Sequence, residues 1–138
     1  MKSALLLFLI SMISGKRVKD KVESLPLQSN INLKSDWYSG YYNVSTSRHL
    51  HYIFIESMNK PETDPVLVFF NGGPGGSSII NIFFGLGPVY SDGGSGELQD
   101  WAYSWCNNAS VMFIDNPAGV GYSYAGKKID WHHSDNSY

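Results

Sequence analysis

Between residues 37 and 55 the chain alternates aromatic or β-branched positions with polar ones, in WYSGYYNV and then HLHYIFIES. A polar break, Ser45-Thr46-Ser47-Arg48, separates the two runs. Partial alternation of this kind predicts two antiparallel strands, each turning one face to a core. Asn59-Lys60-Pro61-Glu62 and Asp64-Pro65 then supply turn residues. Val66-Leu67-Val68-Phe69-Phe70 has no polar relief, as expected of a strand covered on both faces. It runs directly into Asn71-Gly72-Gly73-Pro74-Gly75-Gly76, after which Ser77 and Ser78 are placed to cap a short apolar helix through Ile79, Ile80, Ile82, Phe83 and Phe84. A glycine-rich connection from Gly85 to Gly96 leads to a second buried-type strand, Val111-Met112-Phe113-Ile114-Asp115, and a tight loop, Asn116-Pro117-Ala118-Gly119-Val120-Gly121. Two apolar strands separated by a helix and long loops predict an α/β fold whose sheet has parallel members.

The amino-terminal residues follow a different logic. In MKSALLLFLISMISG one Lys precedes an apolar stretch, Ala4 to Ile13, followed by the small residues Ser14 and Gly15. This is the layout of a secretory signal peptide, residues 1–15, and the apolar stretch is shorter than the roughly 20 residues of a membrane span. Residues 16–36 are polar and mixed in charge, with Pro26 among them, and read as a flexible lead-in. Asn43-Val44-Ser45 and Asn108-Ala109-Ser110 are candidate N-glycosylation sites that suit an exported chain.

Composition narrows the function classes. At 138 residues the chain accommodates one domain, and 43% hydrophobic residues suffice for a core. A net charge of −2, with no basic cluster past the N-terminus, argues against nucleic-acid binding. A single Cys supplies neither a disulfide framework nor zinc-type CxxC spacing.

The most informative segment is Asn71 to Ser78, NGGPGGSS. A hydrophobic strand running into glycines exposes backbone N–H groups at its carboxyl end, where open α/β sheets bind ligands. Such donors serve a phosphate or a developing oxyanion; taken alone, the glycines fit a tight turn equally well. FFNGGPGGSS, GLGPVY, YSW and FIDNPAGVGYSY, following WYSGYYNV and Phe54-Ile55-Glu56-Ser57, together resemble the serine carboxypeptidase family of α/β-hydrolases, over roughly Trp37 to Tyr124. The resemblance implies that residues 37–138 are the N-terminal portion of an α/β-hydrolase domain, an antiparallel hairpin leading into a mostly parallel sheet. It implies peptide or protein substrates held by their C-terminal carboxylate, with Asn71 and Gly72 in the carboxylate site and the Gly73 N–H in the oxyanion hole. It implies no cofactor and no metal. Three positions depart from the family pattern: Gly76 stands where Cys is usual, Cys106 where Asn is frequent, and Phe69 where Trp is usual.

The family's nucleophile lies in a Gly-Glu-Ser-Tyr elbow, which this chain lacks. Gly121-Tyr122-Ser123-Tyr124-Ala125-Gly126, followed by Asp130, His132 and His133, imitates a Ser-Asp-His order. Ser123 is nevertheless a poor nucleophile, because Pro117 and Gly119 interrupt the strand that an elbow requires. His49 and His51 read as solvated imidazoles of an edge strand, and His132-His133 with Asp130 and Asp135 as a polar tail rather than a metal site. GYSYAGKK, Gly121 to Lys128, fits a phosphate-loop spacing but puts Lys128 where Ser or Thr would ligate magnesium. The reading is therefore a serine-type carboxypeptidase represented by a portion without its triad, destined for the lysosome, vacuole or cell exterior. The alternatives are an acyltransferase of the same family and a non-catalytic secreted peptide-binding fragment.

Overall fold

The computed structural model describes residues 18–25, 31–73, 75–94 and 96–127. Residues 1–15, expected to be a signal peptide, and the C-terminal residues with Asp130, His132 and His133, expected to be a polar tail, lie outside the described residues. A mixed sheet organises the rest. Its strands are β1 (Lys21–Val22), β2 (Trp37–Asn43), β3 (Arg48–Ile55), β4 (Val66–Phe69) and β7 (Ser110–Ile114), in the order β1-β2-β3-β7-β4, with β8 (Tyr124–Ala125) beside β3. A separate hairpin pairs β5 (Val89–Ser91) with β6 (Leu98–Asp100).

The aromatic hairpin forms as its alternation predicts, with β2 and β3 antiparallel from Trp37↔Ile55 to Asn43↔His49. Next to it β7 is antiparallel to β3, and β4 runs parallel to β7 with Leu67 beside Val111 and Phe69 beside Phe113. The parallel members expected from the two apolar runs are thus β4 and β7. A mostly parallel sheet is not what the described strands make, since β1, β2, β3, β7 and β8 pair antiparallel to one another.

The core lies on one face of this sheet. Trp37, Ile55, Val111 and Phe113 meet Ile79, Ile82, Val89 and Cys106 there. Fully burying an aliphatic or aromatic side chain of this size contributes about 1.5–3 kcal/mol, so this cluster dominates the apolar stabilisation. Residues 21–25 and 31–33, part of the expected flexible lead-in, are tied down: β1 pairs with β2, Val22, Leu25, Ile31 and Leu33 pack against the core, and Tyr52 Oη donates to Asp20 at 3.0 Å.

Three further expectations are corrected. The strand Val66–Phe69 is not covered on both faces: Val66, Leu67, Val68 and Phe70 are 39–54% exposed, because β4 is the last strand of the described sheet. The helix after Ser78 is a single wide turn, Ile82–Leu86, closed by Gly87 N–H to Ile82 O at 3.2 Å. Phe84 and Gly85 leave helical dihedrals there, Gly85 at φ +119°, which a continuing helix would not admit. His51 is not solvated, because β3 is interior; its side chain is 8% exposed. Among the described residues no helix is long and apolar enough to cross a membrane.

Candidate substrate-binding loop and its anchor

Strand β4 delivers the chain to Asn71, and the turn that follows folds back on it. The Asn71 N–H donates to Ser78 Oγ at 2.9 Å, and the Asn71 carboxamide donates through Nδ2 to Ser77 O at 3.2 Å. Gly76 N–H donates to Gly72 O at 3.2 Å and closes the turn. A Cβ at Gly76 would sit 2.6 Å from Asn71 Nδ2 and 2.8 Å from Gly72 O, so the absence of a side chain there lets the carboxamide dock. Gly73 adopts φ +114°, a conformation that only glycine takes without strain. Gly72 and Gly73 are exposed, and among the described residues no atom beyond its chain neighbours lies within 4 Å of the position a Gly72 Cβ would occupy. An approaching ligand can therefore reach backbone at Gly72 and Gly73 and, beside them, a half-buried carboxamide at Asn71. That combination suits a carboxylate or an oxyanion, both of which accept hydrogen bonds from neutral donors.

Beneath the loop lies Asp115, one residue past β7 and fully buried. Its Oδ1 accepts from Ser77 Oγ at 2.7 Å and Ser78 N–H at 2.9 Å, and its Oδ2 accepts from Tyr122 N–H at 3.1 Å. His51 Nδ1 stands 3.7 Å from Oδ2, an electrostatic contact too long for a hydrogen bond. Burial pushes the Asp115 carboxyl up, but the His51 imidazole, the Ser77 hydroxyl and the N–H groups of Tyr122 and Ser78 outweigh it, and the carboxyl lies below its ordinary value. Gly121, at φ +53°, packs its backbone against this carboxylate, where a Cβ would collide with both oxygens. Ser78 Oγ also donates to Ile114 O at 2.5 Å, a second bond from the loop to the end of β7.

Ser123 is spent structurally. It is buried, its Oγ donates to Asp115 O at 2.6 Å, and it accepts from His51 N–H at 2.7 Å. Both hydroxyl functions are engaged by backbone, which agrees with the sequence argument against it as a nucleophile. Ser39 Oγ lies 2.9 Å from His51 Nε2, so Ser39, His51 and Asp115 stand in the order of a catalytic triad. The geometry is not that of one. The imidazole is not hydrogen-bonded to the carboxylate, and Ser39 lies within β2 opposite Ile53 instead of on an elbow.

Cys106 is buried and free, and burial pushes its thiol up to about 11, which leaves it unreactive. Phe69, in the place of the family's usual Trp, packs its ring on Phe113 at 5.7 Å and edge-on to Trp105 at 6.1 Å. The sequence reading placed Asn71, Gly72 and Gly73 together and missed Asp115 and His51 beneath them. The available signal was an ionisable residue ending an otherwise apolar strand, since a buried carboxylate is rare unless paired.

Comparison with known proteins decides the family. A profile described as serine carboxypeptidase matches residues 26–138. This chain belongs to the serine carboxypeptidase family. A serine carboxypeptidase of Caenorhabditis elegans is 42% identical over 120 residues, covering 85% of this chain and 21% of the relative. A carboxypeptidase Y homolog A of Sclerotinia sclerotiorum is 48% identical over 93 residues, 67% of this chain and 17% of the relative. The crystal structure of a prohormone-processing carboxypeptidase from Saccharomyces cerevisiae superposes with a TM-score of 0.57 at 23% identity, covering 75% of this chain and 24% of that one. That likeness shows a shared fold. The chain spans about a fifth of the length of these relatives.

Proposed function

We propose that this chain contributes the carboxylate-recognition and oxyanion-binding part of a serine-type carboxypeptidase, which releases C-terminal residues from peptides through an acyl-enzyme. In this reading the Asn71 carboxamide and the Gly72 backbone hold the substrate's C-terminal carboxylate. The Gly73 N–H donates to the scissile carbonyl oxygen as it gains negative charge. A backbone donor fixed before the reaction needs no reorganisation when that charge develops, and this is why such donors lower the barrier. The observation that carries the reading is the open glycine turn at the carboxyl end of β4, with Asn71 folded beside it. The attacking serine and its base are not assigned to this chain: Ser123 is pinned to backbone and Ser39 sits within a strand.

Binding separates this reading from a tight turn of purely structural use. An N-blocked dipeptide with a free C-terminal carboxylate is titrated into the purified chain by calorimetry, beside the same dipeptide as its C-terminal amide. Hydrogen bonds to a charged group contribute about 1.5–3 kcal/mol, so the acid is expected to bind about tenfold or more tighter than the amide. Asn71→Leu is expected to remove the preference. Equal affinity for acid and amide in the wild type would refute the carboxylate reading. No free amino acid is expected from either peptide; hydrolysis abolished by Ser123→Ala would return the nucleophile to this chain. A signal at residues 1–15 directs the protein into the secretory pathway, and Asn43 and Asn108, both exposed, are its glycosylation sites. Loss of mass on glycosidase treatment of the secreted chain tests that assignment.

A further inference from the structure

We propose that Asp115 is a positioning residue for substrate recognition, clamping the Asn71–Ser78 turn from below. This rests on the carboxylate reading of that turn and adds the residue that sets its shape. The Asn71 N–H and carboxamide end on Ser78 Oγ and Ser77 O. Those two serines are in turn held by Asp115, which takes the Ser77 hydroxyl and the Ser78 N–H on a single oxygen, and by Ile114 O, which takes the Ser78 hydroxyl. The position of the Asn71 carboxamide is thus fixed two bonds away by a fully buried carboxylate.

The other Asp115 oxygen faces away from the turn. It accepts from Tyr122 N–H and lies against His51 Nδ1, with Gly121 backbone packed on it. One carboxylate therefore joins the substrate-facing turn to the 119–123 loop and to β3. A neutral acceptor cannot replace it, because two donors converge on Oδ1 and a third on Oδ2, and bonds to an ionised acceptor are roughly twice as strong as neutral ones. In Asp115→Asn one side of the group becomes a donor, and a donor aimed at Ser77 Oγ and Ser78 N–H, or at Tyr122 N–H, breaks the clamp on that side.

Hydrogen exchange of the whole chain tests this, with the acid-versus-amide titration run on the same samples. In Asp115→Asn and in Ser77→Ala the Asn71 and Gly76 amides are expected to exchange about tenfold or more faster than in the wild type, after normalisation to the strand amides of β3. The preference for the free acid is expected to fall in step. Ser123→Ala removes bonds to His51 N–H and Asp115 O but none to the turn, and is expected to leave the normalised Asn71 and Gly76 rates unchanged. Should Asp115→Asn fail to fold, Ser77→Ala decides. Turn amides that accelerate only as much as those of β3 would overturn the proposal and leave Asp115 a contributor to stability alone. A wild type that does not distinguish acid from amide would sink the carboxylate reading, while the exchange rates still judge the clamp.

Discussion

Leu67 and Val111 are neighbours in the parallel pair β4–β7 and come from equally apolar runs, yet Leu67 is 39% exposed and Val111 is fully buried. The difference lies in what surrounds each strand. β7 has β3 on one side, with Ile55 beside Val111, and β4 on the other, and Ile79 and Ile82 join its buried residues in the core; β4 is paired on one edge only among the described residues. The polar ends of the same strands show the complement. Beyond β7, Asp115 is buried and supplied with three donors from two segments, whereas beyond β4, Gly72 and Gly73 stand open. The molecule therefore divides into a fixed half that holds the site's shape and an exposed half that presents it.

The largest expected effect falls on the fixed half. Asp115→Ala would leave the Ser77 hydroxyl and the N–H groups of Ser78 and Tyr122 without their acceptor. Breaking a buried, fully satisfied charged group costs about 3–5 kcal/mol, to be read from urea unfolding. A loss below about 1 kcal/mol would mean that water or a neighbour takes over those donors.

The same deletion in two adjacent strands sharpens the contrast. Val111→Ala removes buried methyl groups and is expected to cost about 2 kcal/mol, while Val68→Ala, at a side chain 47% exposed, should cost less than about 1 kcal/mol. Equal losses would show that β4 is covered in solution.

Acidification probes the hub without a mutation. The Asp115 carboxyl is held below its unfolded value, so its contribution is complete above the unfolded pKa near about 4 and is lost as pH falls through the folded one. Unfolding midpoints measured downward from neutral pH are expected to decline in that range, and Asp115→Asn is expected to flatten the decline. A profile unchanged by the substitution would remove Asp115 as its source.

The smallest effect on stability is expected at the open edge. Val68→Lys should change unfolding by less than about 0.5 kcal/mol. It should nevertheless lower self-association in sedimentation, because a charge on an unpaired edge opposes strand pairing between copies.

How far the sequence revealed this arrangement depends on the range of the interactions. The β2–β3 hairpin was legible because alternation and a polar turn are local; its register, Trp37 opposite Ile55, comes from the structure. The glycine turn was legible for the same reason, since Asn71 to Gly76 both interrupts a strand and exposes backbone. The exposure of Val66–Phe69 was not, because an uninterrupted apolar run reports what a strand is suited to contact, not whether a neighbour is there. The β5–β6 hairpin was hidden within a glycine-rich stretch whose strands are short and weakly patterned. His51 was misplaced because pairing with β7 and the approach of Asp115 are long-range events: Asp115 N–H reaches His51 O at 3.0 Å across the sheet. Asp115 reads in the sequence as the end of an apolar strand leading into a loop, with no catalytic role; its convergent donors come from residues 77, 78 and 122, which nothing local brings together.

Recognition of a peptide's free carboxylate by the turn at Asn71–Gly73 is open to residue-resolved NMR. An N-blocked dipeptide acid is titrated into isotope-labelled chain, and the Asn71 side-chain amide and the Gly72 and Gly73 backbone amides are followed. These resonances are expected to move saturably with the acid and to stay in place with the C-terminal amide. Shifts that are absent there, or that gather instead on the exposed strand Val66–Phe69, would contradict it.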